Sequence, residues 1–195
     1  DQSNMDAGAS YVNAGYLSPS HLVPLSAPGV MKKGLKWMLN PASPLYIKPR
    51  LDPDFIKWTL AFNKSCHINH VNKAIPAIKA ITLLSQDLYD DIKQEENFTF
   101  HYEKKGLLML CQTDKMLEEE IETAHLAKRE GLDVREMSQE DLITIEPHAR
   151  LNVKGATYYK CDSHTTPHEF MTEMKGHLKA VGATFSPLAV AATLP

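Results

Sequence analysis

The chain has 195 residues, 43% of them hydrophobic and 23% charged, with a formal net charge of -3. This is the length and balance of one globular domain, or one and a half, with enough apolar residues for a real core. The composition excludes a basic footprint for nucleic acid, an apolar run of the roughly 18 residues a membrane span needs, and a disulfide framework, since the three cysteines, Cys66, Cys111 and Cys161, lie far apart.

In chain order, Gln2 to Ser10 is polar and reads as a loop. Tyr11 to Val30 is apolar and aromatic, yet Gly15, Pro19, Pro24, Pro28 and Gly29 rule out a long helix or a central strand. An ordered loop of that length inside a domain is usually functional. Asn13-Ala14-Gly15 places small residues and one polar side chain where a flat ligand can approach the backbone. The competing reading is a buried crossover held by its prolines. Met31 to Leu39 reads as a short helix stopped by Asn40-Pro41, and Tyr46-Ile47 as a brief extended piece.

Asp52-Pro53 predicts a helix start, with Asp as N-cap and Pro in the first position. Phe55, Trp58, Leu60 and Phe62 give that helix a broad apolar surface through about residue 66. A second helix is expected from about Asn72, with Pro76 in its first turn. Ile75, Ile78, Ile81, Leu84, Leu88 and Ile92 form its stripe. Phe98 to Cys111 changes period and predicts a β-hairpin turning at Glu103-Lys104-Lys105-Gly106.

Asp114 to Glu130 predicts a helix with Leu117, Ile121, Ala124 and Ala127 inward and Gly131 closing it. Its acidic run, Glu118 to Glu120, reads as a solvated face. Val134 to Glu136 is a short strand, and Ser138 to Asp141 a capping box ahead of Leu142. Ala156 to Tyr159 is strand-like. Thr166-Pro167-His168-Glu169 is a second capping box, before a helix whose buried stripe is Phe170, Met174, Leu178 and Val181. Ala183 to Phe185 reads as a final strand. The expected fold is α+β, a mixed or antiparallel sheet covered on one side by helices.

No metal site is expected. Cys66, His67 and His70 lack the second half of a zinc set, and Asp162, His164 and His168 are better explained by a turn and a helix start. No motif points to nucleophilic catalysis.

Asn13-Ala14-Gly15-x-x-Ser18-Pro19, then Ala27-Pro28-Gly29, Leu35-Lys36-Trp37 and Pro44 to Pro49, resemble the small subunit of bacterial D-amino-acid dehydrogenases. That group lies within the D-amino-acid oxidase and glycine oxidase family of flavoproteins. The resemblance continues more loosely through Asp162 to Pro167 and Gly182 to Phe185. It implies FAD as cofactor, with Asn13, Ala14, Gly15 and Tyr16 against the flavin and Asp1 at the acidic position that binds the adenosine ribose. The Asp1 position would follow a glycine-rich turn, and the 195 residues contain no G-x-G-x-x-G. The expectation is therefore a piece that starts after the phosphate-binding turn and stops before the last flavin-binding segments. Residues 1–44 would be a partial segment of a Rossmann-like FAD domain, 45–155 the substrate-binding domain and 156–195 the return segment.

The implied reaction is oxidative deamination of a D-amino acid to a 2-oxo acid and ammonia, with electrons passing to an acceptor such as a quinone. A related oxidase for glycine, sarcosine or a cyclic imino acid is the alternative, and a non-enzymatic binding domain of the same fold is a third. The resemblance assigns no catalytic residue; Tyr46, Tyr102 and Tyr158 are candidates by residue type only. It further implies an amino acid as small-molecule partner and no nucleic acid. Self-association through an exposed docking face is expected, with a place in the cytoplasm or on the inner face of the cytoplasmic membrane.

Overall fold

The computed structural model describes residues 8–30, 34, 50, 52–95 and 98–185. The chain packs as two units. One holds the described residues between His21 and Leu83; the other holds those up to Ser20 and from Leu84 onward. No described helix is long and apolar enough to cross a membrane.

In the His21–Leu83 unit, Val30 and Gly34 are helical; the rest of the helix expected at 31–39 and the extended piece at Tyr46-Ile47 lie outside the described residues. Helix α1, Pro53–Ser65, starts as the sequence requires, with Asp52 Oδ1 accepting from Asp54 N at 3.0 Å and Pro53 in the first turn. Its rings stack in a row, Phe55 on Trp58 and Trp58 on Phe62, but none of its side chains is buried. Helix α2, Ile68–Glu95, whose residues from Leu84 on belong to the other unit, begins four residues earlier than expected because the His67 ring caps it, Nδ1 accepting from His70 N at 3.1 Å. Pro76 consequently lies inside the helix, not in its first turn, and has no N–H for the carbonyl four residues back.

The other unit contains two antiparallel sheets of three strands each. The first has order β1-β6-β2, from Tyr16–Leu17, Ser163–Thr165 and Tyr102–Glu103. The second has order β3-β5-β4, from Leu107–Cys111, Gly155–Tyr159 and Val134–Met137. The expected hairpin is therefore corrected: β2 and β3 pair with different partners, and Lys104-Lys105-Gly106 carries the chain from one sheet to the other. Gly106 decides this. It adopts φ +74°, donates its N–H to the Asp162 carbonyl at 3.0 Å, and leaves room for the Tyr158 ring where a Cβ would stand 2.6 Å away.

Helix α3, Asp114–Arg129, packs across the second sheet with Ala124 and Ala127 buried and Leu117 and Ile121 half-buried. The carbonyls of Ala127 and Lys128 accept from Leu132 N and Gly131 N, which closes the helix as expected. Glu118 and Glu119 are exposed, but Glu120 is not part of a solvated face: its Oε1 accepts from Thr157 Oγ1 at 3.0 Å and Tyr159 Oη at 2.6 Å. Helix α4, Gln139–Ile145, has the reciprocal Ser138–Asp141 capping box, and its Leu142 packs on Val153 and Ala156.

Helix α5, Pro167–Ala180, departs from expectation at both ends. Thr166 is its N-cap residue but makes no side-chain cap bond. Glu169 turns away to accept from His101 N at 2.7 Å, and Glu173 accepts from Thr99 N at 2.7 Å. The two carboxylates thus fasten the approach to β2 onto α5. Phe170 packs on Tyr89 and the buried Phe100, whereas Leu178 and Val181 of the expected stripe are exposed. Residues 183–185 are not a strand: the N–H groups of Gly182 and Ala183 close the helix on the carbonyls of Lys179 and Leu178.

Candidate functional site

The Asn13-Ala14-Gly15 loop is folded by its own asparagine. Asn13 Nδ2 donates to the carbonyls of Ala9 (2.9 Å) and Ser10 (3.2 Å), and Oδ1 accepts from Gly15 N at 2.8 Å. That side chain supplies both donors and an acceptor to the turn around it, the local chemistry for which Asn is favoured in turns. Gly15 then takes φ +71°. Its carbonyl accepts from Thr165 N at 2.9 Å, and Tyr16 and Leu17 continue as β1, opposite His164 and Ser163.

The strand that receives this loop is held from behind. Asp162, buried, accepts from Ser20 N at 3.0 Å and Ser20 Oγ at 2.6 Å. Gln86 of α2, also buried, directs Nε2 at the Cys161 carbonyl (2.8 Å), Ser163 Oγ (2.8 Å) and the Leu17 carbonyl (3.3 Å). Burial and the Asp162 carboxylate push the Cys161 thiol up to about 12, so it is no nucleophile at neutral pH. Sequence reasoning missed Asp162, Ser20 and Gln86 as a group. The expected stripe of α2 misled here: Ile81, Leu84 and Leu88 are exposed, and Gln86, off that stripe, is buried.

In front of the loop lies a cleft of about 300 Å³ whose walls include Asn13, Gly15, Tyr16, Tyr89, Thr165 and Phe170. Of the residues expected at the cofactor, Asn13, Gly15 and Tyr16 therefore meet at one cleft. Ala14 is exposed and not on its wall, and Asp1 lies outside the described residues. Tyr16 is 60% exposed. The volume is at the lower end of the roughly 300–1,000 Å³ of ligand pockets. Aromatic walls and that size suit a flat ring system or an amino acid, not a whole dinucleotide.

The tyrosines proposed by type separate. Tyr158 commits its hydroxyl to the Lys105 carbonyl at 2.7 Å. Tyr102 lies beside the Tyr89 ring with its hydroxyl buried and without a well-placed partner among the described residues; burial raises its pKa. Tyr46 is outside the described residues. Among the described residues, the group of three side chains near enough to share an ion is His101, Glu103 and His164.

Antiparallel sheets, covering helices and a self-folded loop at an aromatic cleft define an α+β domain. More particularly, the chain matches the family of FAD dependent oxidoreductases over residues 1–190, and it belongs to that family. The D-amino acid dehydrogenase of Vibrio vulnificus (strain YJ016) is 29% identical over 181 residues, which cover 90% of this chain and 43% of that protein. That of Bradyrhizobium diazoefficiens is 30% identical over 184 residues, covering 90% and 42%. The chain thus spans less than half the length of these relatives. In fold it is similar to glycine oxidase from Geobacillus kaustophilus (TM-score 0.61, 15% identity, 96% of this chain and 39% of that one). Glycine oxidase from Bacillus cereus ATCC 14579 is also similar (TM-score 0.56, 13% identity, 96% and 38%).

Proposed function

We propose that this chain is the part of an FAD-dependent D-amino acid dehydrogenase that holds one face of the flavin and the substrate. The observation that carries the reading is the loop itself: Asn13 spends its amide on folding it, and Tyr16 stands exposed at an aromatic cleft. Bound FAD would supply the hydride acceptor for oxidation at the amino-acid α-carbon. In this reading the chain's own part is to orient, since placing the α-carbon against the ring is what the protein contributes. Residues 45–155 form the substrate side, and 1–44 and 156–195 belong to the flavin domain. β6 pairs with β1 of the first segment and with β2 of the middle one, so this strand joins all three. The acceptor is a quinone or similar carrier, which brings the protein to the inner face of the cytoplasmic membrane.

Titration of the 195-residue chain with riboflavin and with FAD, followed by flavin fluorescence, tests the cleft. Weak saturable quenching is expected, equal for the two within a few-fold, because the ring finds its cleft but the pyrophosphate finds no glycine-rich turn. Tyr16→Ala should reduce it. No saturable quenching with either would overturn the assignment of the cleft. In the protein that also carries the phosphate-binding turn, D-alanine should drive dye reduction without oxygen consumption; glycine-dependent oxygen consumption would make it an oxidase instead.

A further inference from the structure

We infer that His101, Glu103 and His164 form a binding site for a divalent transition-metal ion of the zinc class. The site follows from strand geometry. Glu103 on β2 stands directly opposite His164 on β6, and His101 lies two residues before Glu103, so all three side chains project from one face of the ladder. His101 Nε2 and His164 Nε2 lie 3.6 and 3.7 Å from the same oxygen, Glu103 Oε2. The rings are 5.6 Å apart between centroids, and one ligand atom from each residue lies within 4.8 Å of the others. An ion bound at about 2.0–2.2 Å from each needs those atoms about 3.3 Å apart, a closing that small rotations of two rings and one carboxylate supply.

The backbone beneath is fixed. His164 is in the central strand, between β1 and β2. The His101 N–H is donated to Glu169, and its carbonyl accepts from Thr165 Oγ1 at 2.7 Å and Thr166 N at 3.0 Å. Two imidazoles and one carboxylate on rigid strands, half to one-third exposed, suit zinc, cobalt or nickel and leave further positions open to water. Hard calcium or magnesium ions take more oxygen ligands than this face has. The present occupant of the shared oxygen is Lys105, whose Nζ lies 2.7 Å from Glu103 Oε2. Metal binding therefore displaces an ammonium group, and Lys105 sets the affinity. A bound ion ties β2 to β6 one residue pair away from Tyr16, since Tyr16 faces His164 across β1 and β6.

The test is calorimetric titration of the untagged 195-residue chain with Zn²⁺, with Co²⁺ absorption as the coordination readout. One ion per chain is expected, with a raised thermal midpoint. His164→Ala and Glu103→Gln should each weaken binding by at least the roughly tenfold that even outer-shell substitutions cost. Lys105→Ala should tighten it, a gain that a folding defect does not mimic. His67→Ala with His70→Ala should leave it unchanged. No binding by the parent or by Lys105→Ala, binding equal in His164→Ala and parent, or binding lost only with His67 and His70 would each overturn the site.

Discussion

Gly15→Ala isolates what the glycine of the loop is for. An ideal Cβ there would stand 2.0 Å from the Thr165 carbonyl oxygen and 3.1 Å from Pro167 Cδ. Neither neighbour is the end of a flexible side chain: one is backbone of β6 and the other a proline ring. β1 must move more than about 1 Å to clear it, far beyond what close-packed interiors absorb freely. Three costs then add. Holding a non-glycine residue at φ +71° costs about 1 kcal/mol. Losing the Thr165 N–H to Gly15 carbonyl bond costs about 1 kcal/mol, and leaving that N–H unpaired about 1 kcal/mol more. The sum, about 3 kcal/mol, is a large share of the roughly 5–15 kcal/mol that stabilises a domain. Urea unfolding followed by far-ultraviolet circular dichroism should show the midpoint falling by about 1.5 M with a slope near 2 kcal/mol per M. A midpoint within about 0.3 M of the parent would refute the packing argument. A drop in flavin affinity in this variant says nothing of a flavin contact, because the whole junction moves; Tyr16→Ala is the probe for that.

Asp162→Ala removes the carboxylate that receives two Ser20 donors and should cost about 3 kcal/mol, read as a lower thermal midpoint; a near-neutral effect would show that the Ser20 loop is held by something else. Thr166→Ala should change stability by under about 0.5 kcal/mol, since no cap bond exists to lose, while Glu169→Ala should cost more than that by freeing the His101 N–H; equal effects in urea unfolding would restore the capping box. Because burial and Asp162 hold the Cys161 thiol up near 12 and burial also raises Cys111, iodoacetamide at pH 8 should leave both unmodified in the native chain and modify them in urea; mass spectrometry that finds Cys161 modified natively at the urea rate sinks that. Glu103, Asp141 and Glu173 are held below the usual carboxylate range by Lys105, by the Ser138 backbone and by the Thr99 side chain respectively. The unfolded chain therefore takes up their protons first, so their contribution is present at neutral pH and lost as pH falls through the lowered values; urea midpoints that do not fall between pH 5 and pH 3 contradict this.

Local grammar was legible wherever the partner is a few residues away. Asp52 with Pro53, Ser138 with Asp141, and the ending of α3 at Gly131 are each closed by bonds within one turn. The α+β class followed from the same short-range periods. Errors arose where a distant residue decides. Glu103 to Gly106 has the composition of a hairpin turn, but Gly106 answers to Asp162 and Tyr158, more than fifty positions on. Glu120 reads as one of three solvated acids until two hydroxyls of β5 reach it. Thr166 and Glu169 have capping-box spacing, yet the His101 N–H competes for the glutamate. In the site, Asn13 and Gly15 stood out as a loop by residue type, but the reason for the glycine, the carbonyl of Thr165, lies 150 residues away in sequence.

These distant ties converge on one short segment. Asp162 takes the Ser20 donors, Ser163 takes Gln86, His164 faces Glu103, and Thr165 bonds the Gly15 carbonyl through its N–H and the His101 carbonyl through its hydroxyl. Side chains at successive positions of a strand leave from opposite faces. Asp162 and His164 therefore serve neighbours on one side, and Ser163 and Thr165 on the other. The position of Tyr16 at the cleft is set by β6 from both sides, not by the loop's own stiffness. Placing a side chain to within about 0.5 Å needs supporting contacts of this kind around its backbone. Asp162→Ala, over 140 residues from Tyr16 in sequence, is therefore expected to disturb the Tyr16 cleft as well as the Ser20 loop. The loop's chemistry is thus carried by its far-end partner strand as much as by Asn13-Ala14-Gly15.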